Sequence, residues 1–273
     1  MGRFKLGLQL YSVRDYMEKD MEATLKTVSE MGYECVEFAG YFGKSAEEVR
    51  ALCDKYNLEI ISVHQGLADI TEKPEETIKY AKTLGIKYYT IPWVGKETWE
   101  NEYDKMIADI KKAGKLLKEN GIQLLYHNHD FELEVKRGDK FVLDSIYSDV
   151  DHDILCPELD MCWVNYAGCD PIEYIKKYGG IEELLHMKDF DCKALKGDPV
   201  YGLIGEGGSE PTKEDNGFKF RPVGYGRQDV KAIMKTAEDT KINCVIVEQD
   251  GHPERTSLED AKMSIDYLKS IGY

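Results

Sequence analysis

The sequence predicts a (β/α)8 barrel of the TIM type, and three observations carry that expectation. Short β-type runs alternate with amphipathic helical stretches from one end of the chain to the other. Eight such units fit in 273 residues, and a barrel of this kind takes about 250. No G-x-G-x-x-G fingerprint follows the first strand, where Gln9-Leu10-Tyr11-Ser12 stands instead, which argues against an open doubly wound nucleotide-binding sheet. Strands that alternate with helices pair in parallel through right-handed crossovers.

The units follow in order. Residues 4–9 read as a strand, and Asp20-Met21-Glu22 opens a helix whose Leu25, Val28 and Met31 recur at helical spacing until Gly32 stops it. Residues 34–38 form the second strand, followed by a helix that starts at Ser45-Ala46-Glu47-Glu48, a capping-box pattern, and runs to about residue 56. The third strand is 58–64, with a helix over about 74–84. The fourth is 86–92, before a long helix over about 98–120 that ends at Gly121. Strand five is 122–127, with a weaker helical signal near 142–147. Strand six is 155–160, broken near its start by Pro157, and a helix follows Asp170-Pro171. Residues 181–188 contain the seventh strand. A helix over about 229–239, a strand over 243–248 and a helix over about 257–271 complete the pattern. Residues 1–273 read as one domain, with 189–226, rich in glycine and charge, as a loop insertion that serves as a lid or as a contact in a homo-oligomer.

Thirty-six basic against 51 acidic side chains give a net charge of −15. That balance disfavours nucleic acid as a partner, because binding to phosphate backbones relies on Lys and Arg. No apolar run is long enough to span a bilayer and no apolar h-region follows Arg3 and Lys5, so the expectation is a soluble, cytoplasmic protein with no membrane partner. Seven scattered cysteines without a C-x-x-C pair suit reduced core thiols better than disulfides or structural zinc.

Chemistry in such a barrel sits at the C-terminal ends of its strands. Strand three ends in His64, strand five in His127-Asn128-His129, strand six in Glu158 and Asp160, strand seven in His186 and Lys188-Asp189, and strand eight in Glu248 and Asp250. The other two of six histidines, His152 and His252, fall in loops and read as solvated surface residues. Taken singly, a strand-end His is a hydrogen-bonded structural group and an Asp a helix N-cap. Together, His127 or His129, Asp160, His186 and Glu248 would converge from consecutive staves. That mixed nitrogen and oxygen set suits Mn²⁺, Co²⁺, Fe²⁺, Mg²⁺ or Zn²⁺ and excludes a thiolate site. Side-chain parity permits it, since His127 and His129 share a face, as do Glu158 with Asp160, His186 with Lys188, and Glu248 with Asp250.

These residues carry a resemblance. Gly7-Leu-Gln-Leu-Tyr-Ser-Val-Arg14, Gly32-Tyr-Glu-Cys-Val-Glu-Phe38, Tyr126-His-Asn-His-Asp-Phe-Glu132, Glu158-Leu-Asp160, His186-Met-Lys-Asp189, Gly224-Tyr-Gly226 and Val247-Glu248 are similar, in order and spacing, to the xylose isomerase-like TIM-barrel superfamily of sugar phosphate isomerases/epimerases and endonuclease IV relatives. The resemblance covers nearly the whole length. It implies a divalent metal held by a carboxylate on strand five, an Asp on strand six, a His on strand seven and a Glu on strand eight, which here become His127, Asp160, His186 and Glu248. The departure is His127, since epimerases of the group use two facing glutamates and only Glu248 of that pair is present. The His-x-His pattern resembles the inosose dehydratase and keto-sugar lyase branches instead.

The resulting expectation is a metal-dependent sugar isomerase or epimerase that passes through a metal-stabilised enediolate, acting on a sugar or keto-sugar. A lyase or dehydratase acting on a keto-sugar, inosose or 3-keto-glycoside is the first alternative. An endonuclease IV-like nuclease, which needs more ligands and a basic groove, and a non-catalytic sugar-binding barrel are the others. Glu248, His129 and Lys188 are the candidate bases. Trp93, Tyr11 and Phe38 could stack on a sugar ring, while Glu37 and His64 could bond its hydroxyls. Asp189 could orient a ligand or a lysine, and Arg221 could contact an anion. Gly205-Glu206-Gly207-Gly208 reads as flexible loop rather than phosphate cradle.

Overall fold

The computed structural model describes residues 4–195 and 217–273. Eight parallel strands close into a barrel: β1 Lys5–Gln9, β2 Cys35–Ala39, β3 Glu59–His64, β4 Tyr88–Ile91, β5 Gln123–His127, β6 Leu155–Asp160, β7 Leu184–Met187 and β8 Cys244–Val247. The seam is β1 against β8, with Lys5 opposite Cys244 and Leu8 opposite Val247. All six residues of β6 are buried, as expected of a parallel strand covered on both faces. Pro157 is accommodated within it, opposite Tyr126 of β5.

Helix boundaries follow the local chemistry. Met21–Met31 is capped by the Asp20 carboxylate, which accepts from the Ala23 N–H, and it ends at Gly32 with φ 95°, a left-handed conformation that glycine adopts without a Cβ penalty. Ser45 and Glu48 form the reciprocal capping box of Ala46–Lys55. Thr256 and Glu259 do the same for Ser257–Ser270. Pro74 starts Pro74–Leu84, and the Asp170 carboxylate accepts from the Ile172 N–H at the start of Pro171–Tyr178.

The structure differs from the sequence reading at several places. The helix expected over 98–120 is two, Lys96–Asn101 and Tyr103–Glu119, because Glu102 leaves the helical region at φ −127° and ψ 23°. Short helical turns over Leu10–Val13, Arg14–Met17, Leu67–Glu72 and Met161–Tyr166 were not anticipated. The ends of the 189–226 segment are not loop: Asp189–Asp191 and Lys219–Arg221 pair as an antiparallel ribbon, with Asp189 opposite Arg221. The glycine run 205–208 and most of the suggested lid lie outside the described residues.

All seven cysteines are free thiols, five of them buried. The closest pair, Cys35 and Cys244, brings its sulfurs to 3.2 Å at the lower end of the barrel interior. Gly7 of β1 makes room there, since a Cβ at that position would stand 2.5 Å from Ile246 Cδ1 and 2.8 Å from Cys35 Sγ. Among the described residues no helix is long and apolar enough to cross a membrane.

Candidate active site and metal centre

The C-terminal ends of the strands gather a buried cluster of charge. His127 ends β5, Asp160 ends β6, His186 lies on β7, and Glu248 directly follows β8, so the four candidate ligands come from consecutive staves. One donor atom from each lies within 4.8 Å of the others, and all four residues are buried. His127 Nε2 is 3.6 Å from Asp160 Oδ2, while His186 Nδ1 and Glu248 Oε2 are 2.8 Å apart.

Asp160 performs both roles that its type suggests, one with each oxygen. Its Oδ1 caps Met161–Tyr166, accepting from the N–H groups of Cys162 at 2.7 Å and Trp163 at 3.3 Å. That leaves Oδ2 turned toward His127 and Lys188. Asn128 fixes the β5–β6 junction, its side-chain oxygen accepting from the Asp160 N–H at 3.0 Å.

The arrangement fits a divalent cation. Ligand atoms about 2.0–2.2 Å from a shared ion stand about 3–3.5 Å from one another, close to the 2.8 and 3.6 Å seen here. The donors are imidazole and carboxylate, with no thiolate among them. His127 Nδ1 is buried with no hydrogen-bond partner, and burial holds this imidazole well below its ordinary pKa, with the neighbouring His186 and His64 adding to the effect. A neutral imidazole is the form that ligates metal.

Above the cluster lies a cavity of about 200 Å³ walled by Tyr11, Ala39, His64, Pro92, Trp93, His127, His129, Lys188, Glu248 and Asp250. Three of the expected sugar contacts, Tyr11, His64 and Trp93, are therefore on the wall, together with all three candidate bases. The His129 ring meets Trp93 edge-on at 4.6 Å and stacks with Phe131 at 5.8 Å. Burial, followed by the charge of Lys188, keeps it well below its ordinary pKa, so it stands neutral.

Lys188 does not fit the role of a neutral base. Its ammonium is buried against Asp160 at 3.1 Å, Glu248 at 3.0 Å and Asp250 at 2.8 Å. Burial alone would lower its pKa, but the three carboxylates outweigh it and hold the group charged. Glu248 is likewise kept ionised: burial pushes it up, and Lys188 with His186 pulls it further down.

Five other expectations are corrected by position. Glu37 is fully buried beneath the cavity, where its Oε1 accepts from Gln9 at 2.7 Å and lies 2.9 Å from His64 Nε2 and 2.8 Å from His186 Nε2. Asp189 faces the backbone, accepting from the N–H groups of Phe190, Gly224, Gly226 and Gln228, and so ties the ribbon together instead of orienting a ligand or lysine. Arg221 pairs with Glu254 at 2.6 Å on the outer rim. Phe38 is wholly buried and tilts against Tyr41. His252 is a bridge and not a solvated residue, its Nδ1 2.9 Å from Asp260 Oδ2 and its Nε2 2.8 Å from the Ser12 carbonyl.

Two residues that the sequence reading left without a role belong to the site. Asp250 stands on the cavity wall with its pKa pushed up to about 6, chiefly by burial. Glu158 lies one layer below Asp160, 3.0 Å from His64 Nε2. The signal for both was the shared face of Glu248 with Asp250 and of Glu158 with Asp160.

Comparison with known proteins agrees with this architecture. A family model described as xylose isomerase-like TIM barrel matches residues 25–271. Inosose dehydratase of Geobacillus kaustophilus is 22% identical over 192 residues, spanning 62% of this chain and 61% of that protein. Inosose dehydratase of Mesomycoplasma hyopneumoniae strain 7448 is 24% identical over 272 residues, spanning 90% and 88%. A sugar phosphate isomerase/epimerase from Parabacteroides distasonis superposes with a TM-score of 0.75 at 24% identity, covering 97% of this chain and 98% of its own. The probable 3-DHS dehydratase AsbF of Bacillus anthracis gives 0.75 at 16%, covering 97% and 99%. The zinc-containing IOLI protein gives 0.70 at 15%, covering 98% of each chain. At these identities the structural likenesses establish the fold.

Proposed function

Because the chain belongs to the xylose isomerase-like TIM barrel family, we propose that it is a metal-dependent lyase that eliminates water, or another β-leaving group, from a keto-sugar, inosose or 3-keto-glycoside. The observation that carries this reading is the pairing of His129, a neutral imidazole, with Asp250, a carboxyl of raised pKa, on one cavity wall above four candidate metal ligands. His127, Asp160, His186 and Glu248 would hold a divalent ion, which would supply Lewis acidity toward a substrate carbonyl.

The residues divide the remaining work. His129 accepts the proton from the carbon beside the carbonyl, an acid–base role typically worth about 10²–10⁴ in rate. Asp250 delivers a proton to the departing β-hydroxyl, which leaves as water, and the electron pair of the broken C–H bond becomes the new C=C bond. Trp93 and Tyr11 offer apolar faces to the ring. The lyase is preferred to an isomerase or epimerase because a proton swap between two facing glutamates lacks its partner here: His127 stands across from Glu248. The names of the curated relatives point the same way.

The test is to incubate the Mn²⁺-loaded protein with a panel of inososes, 3-keto-glucosides and free ketoses and to follow the products by NMR and mass spectrometry. The expected product is lighter by one water, or by the glycosidic leaving group. It should disappear in His129→Gln and slow strongly in Asp250→Asn, with metal content unchanged in both. A product of unchanged mass, epimerised or isomerised, would overturn the lyase reading.

A further inference from the structure

Arg14, which closes the stretch Gly7-Leu-Gln-Leu-Tyr-Ser-Val-Arg14, belongs neither to the candidate metal ligands nor to the cavity wall. Its guanidinium nevertheless touches two wall residues at once. Nη1 donates to the Tyr11 carbonyl at 2.7 Å and Nη2 to the Asp250 carbonyl at 3.0 Å, the second across 236 positions of sequence. The same group lies over the Tyr11 ring, with Cζ 3.9 Å from the ring centroid.

The position of this contact explains what it is for. Backbone pairing between β1 and β8 ends at Leu8 opposite Val247. Both chains then leave the sheet in turns, one carrying Tyr11 and the other Asp250, and side chains take over the task of joining them. The Gln249 N–H donates to Ser12 Oγ at 3.0 Å, and His252 Nε2 lies 2.8 Å from the Ser12 carbonyl. Those contacts join residues outside the cavity wall, whereas Arg14 joins two that are on it. Gln9 Oε1 also accepts from the Tyr11 N–H at 3.0 Å, and Lys188 Nζ donates to Asp250 Oδ2 at 2.8 Å. Each wall residue thus has an anchor of its own, and Arg14 adds their mutual spacing.

Arginine suits that task. Its rigid fork aims two N–H groups at two acceptors while its flat, delocalised plane stacks on an aromatic face, and a lysine ammonium, a point charge on a flexible stem, cannot do both. Hydrogen bonds from a charged donor are also about twice as strong as neutral ones.

We propose that Arg14 is a positioning residue. It holds the turn after β1 in register with the turn after β8, and so sets the distance between Tyr11, against which the sugar ring lies, and Asp250, which protonates the leaving group. The roles of those two residues rest on the elimination proposed above, while the brace itself is read separately.

Two measurements on the Mn²⁺-loaded protein test it. In Arg14→Lys, with Arg14→Gln as the second variant if that one fails to fold, amide hydrogen exchange should quicken in peptides covering residues 10–13 and 249–252 and stay as in the wild type in the barrel strands. The kcat of elimination should fall by up to about 100-fold, the order of loss that a displacement of about 1 Å produces, with manganese content unchanged. In an Asp250→Asn background the same substitution should cost at most about twofold more, because residues that act as a unit do not add. A merely structural role would lower kcat by the same factor in both backgrounds. Unchanged exchange in either turn overturns the brace, and equal factors in the two backgrounds overturn positioning through Asp250. A wild type that yields no elimination product removes the proposed reaction, and hydrogen exchange alone then decides the brace.

Discussion

Glu132 shows how burial sets a charge state inside this fold. Its side chain is fully buried, 2.5 Å from the Tyr126 hydroxyl and 2.8 Å from the His129 backbone nitrogen. Burial, opposed by those hydrogen bonds, pushes its pKa from an ordinary 4.5 up to about 8. The folded state therefore holds a proton that the unfolded chain releases above about pH 4.5, so this group's contribution falls as pH rises toward about 8 and is flat beyond. The slope is at most about 1.4 kcal/mol per pH unit. Urea unfolding of Glu132→Gln, which cannot ionise, should show a shallower fall across that window, and an unchanged slope would reject the assignment. At this scale the sequence revealed which residues meet more readily than what each does. His127, Asp160, His186 and Glu248 were legible because each lies within a residue of the end of a stave. The altered roles of Glu37, Asp189 and Lys188 depend on partners from distant strands, which periodicity does not disclose.

The strands and helices were legible wherever their ends carry side-chain chemistry. Ser45 with Glu48, Asp20 with Gly32, and Asp170 with Pro171 each announce a boundary within a few residues, and the structure keeps all three. Ser45→Ala removes one half of a capping box and should cost about 1 kcal/mol, read as a shift of the urea midpoint. The elements that escaped notice lack such a signal or rely on long-range pairing. Met161–Tyr166 begins directly after the last residue of β6, so no loop separates strand from helix. Asp191 pairs with Lys219 across a long intervening segment. Gly7 is the position where strand geometry is least forgiving. Gly7→Ala would place its methyl against Ile246 and Cys35 and should destabilise the barrel by about 1–3 kcal/mol, a loss that Cys35→Ala in the same chain should partly restore.

At the scale of the molecule, the fold class was legible because a parallel barrel repeats one unit eight times, and that rhythm survives errors at individual boundaries. The net charge of −15 takes on a local meaning as well, since part of the excess is gathered into one buried cluster. A cation that binds only the folded state stabilises it by mass action. Thermal unfolding of chelator-treated protein should therefore rise on adding Mn²⁺, by roughly 5–10 °C at a hundredfold excess over Kd. An unchanged midpoint would contradict a metal in the cluster. The seam between β1 and β8 has a consequence for how the molecule is made. Of the eight staves, Lys5–Gln9 leaves the ribosome first, yet its partner Cys244–Val247 is the last of them to emerge. Until that strand is made the edge of β1 has no neighbour on that side, a row of open backbone groups of the kind that invites aggregation. Glu248 arrives with the same late strand, so a nascent chain cannot complete the centre before the barrel is ready to shut, and a ribosome-stalled fragment ending before Cys244 should bind chaperones and fail to retain metal.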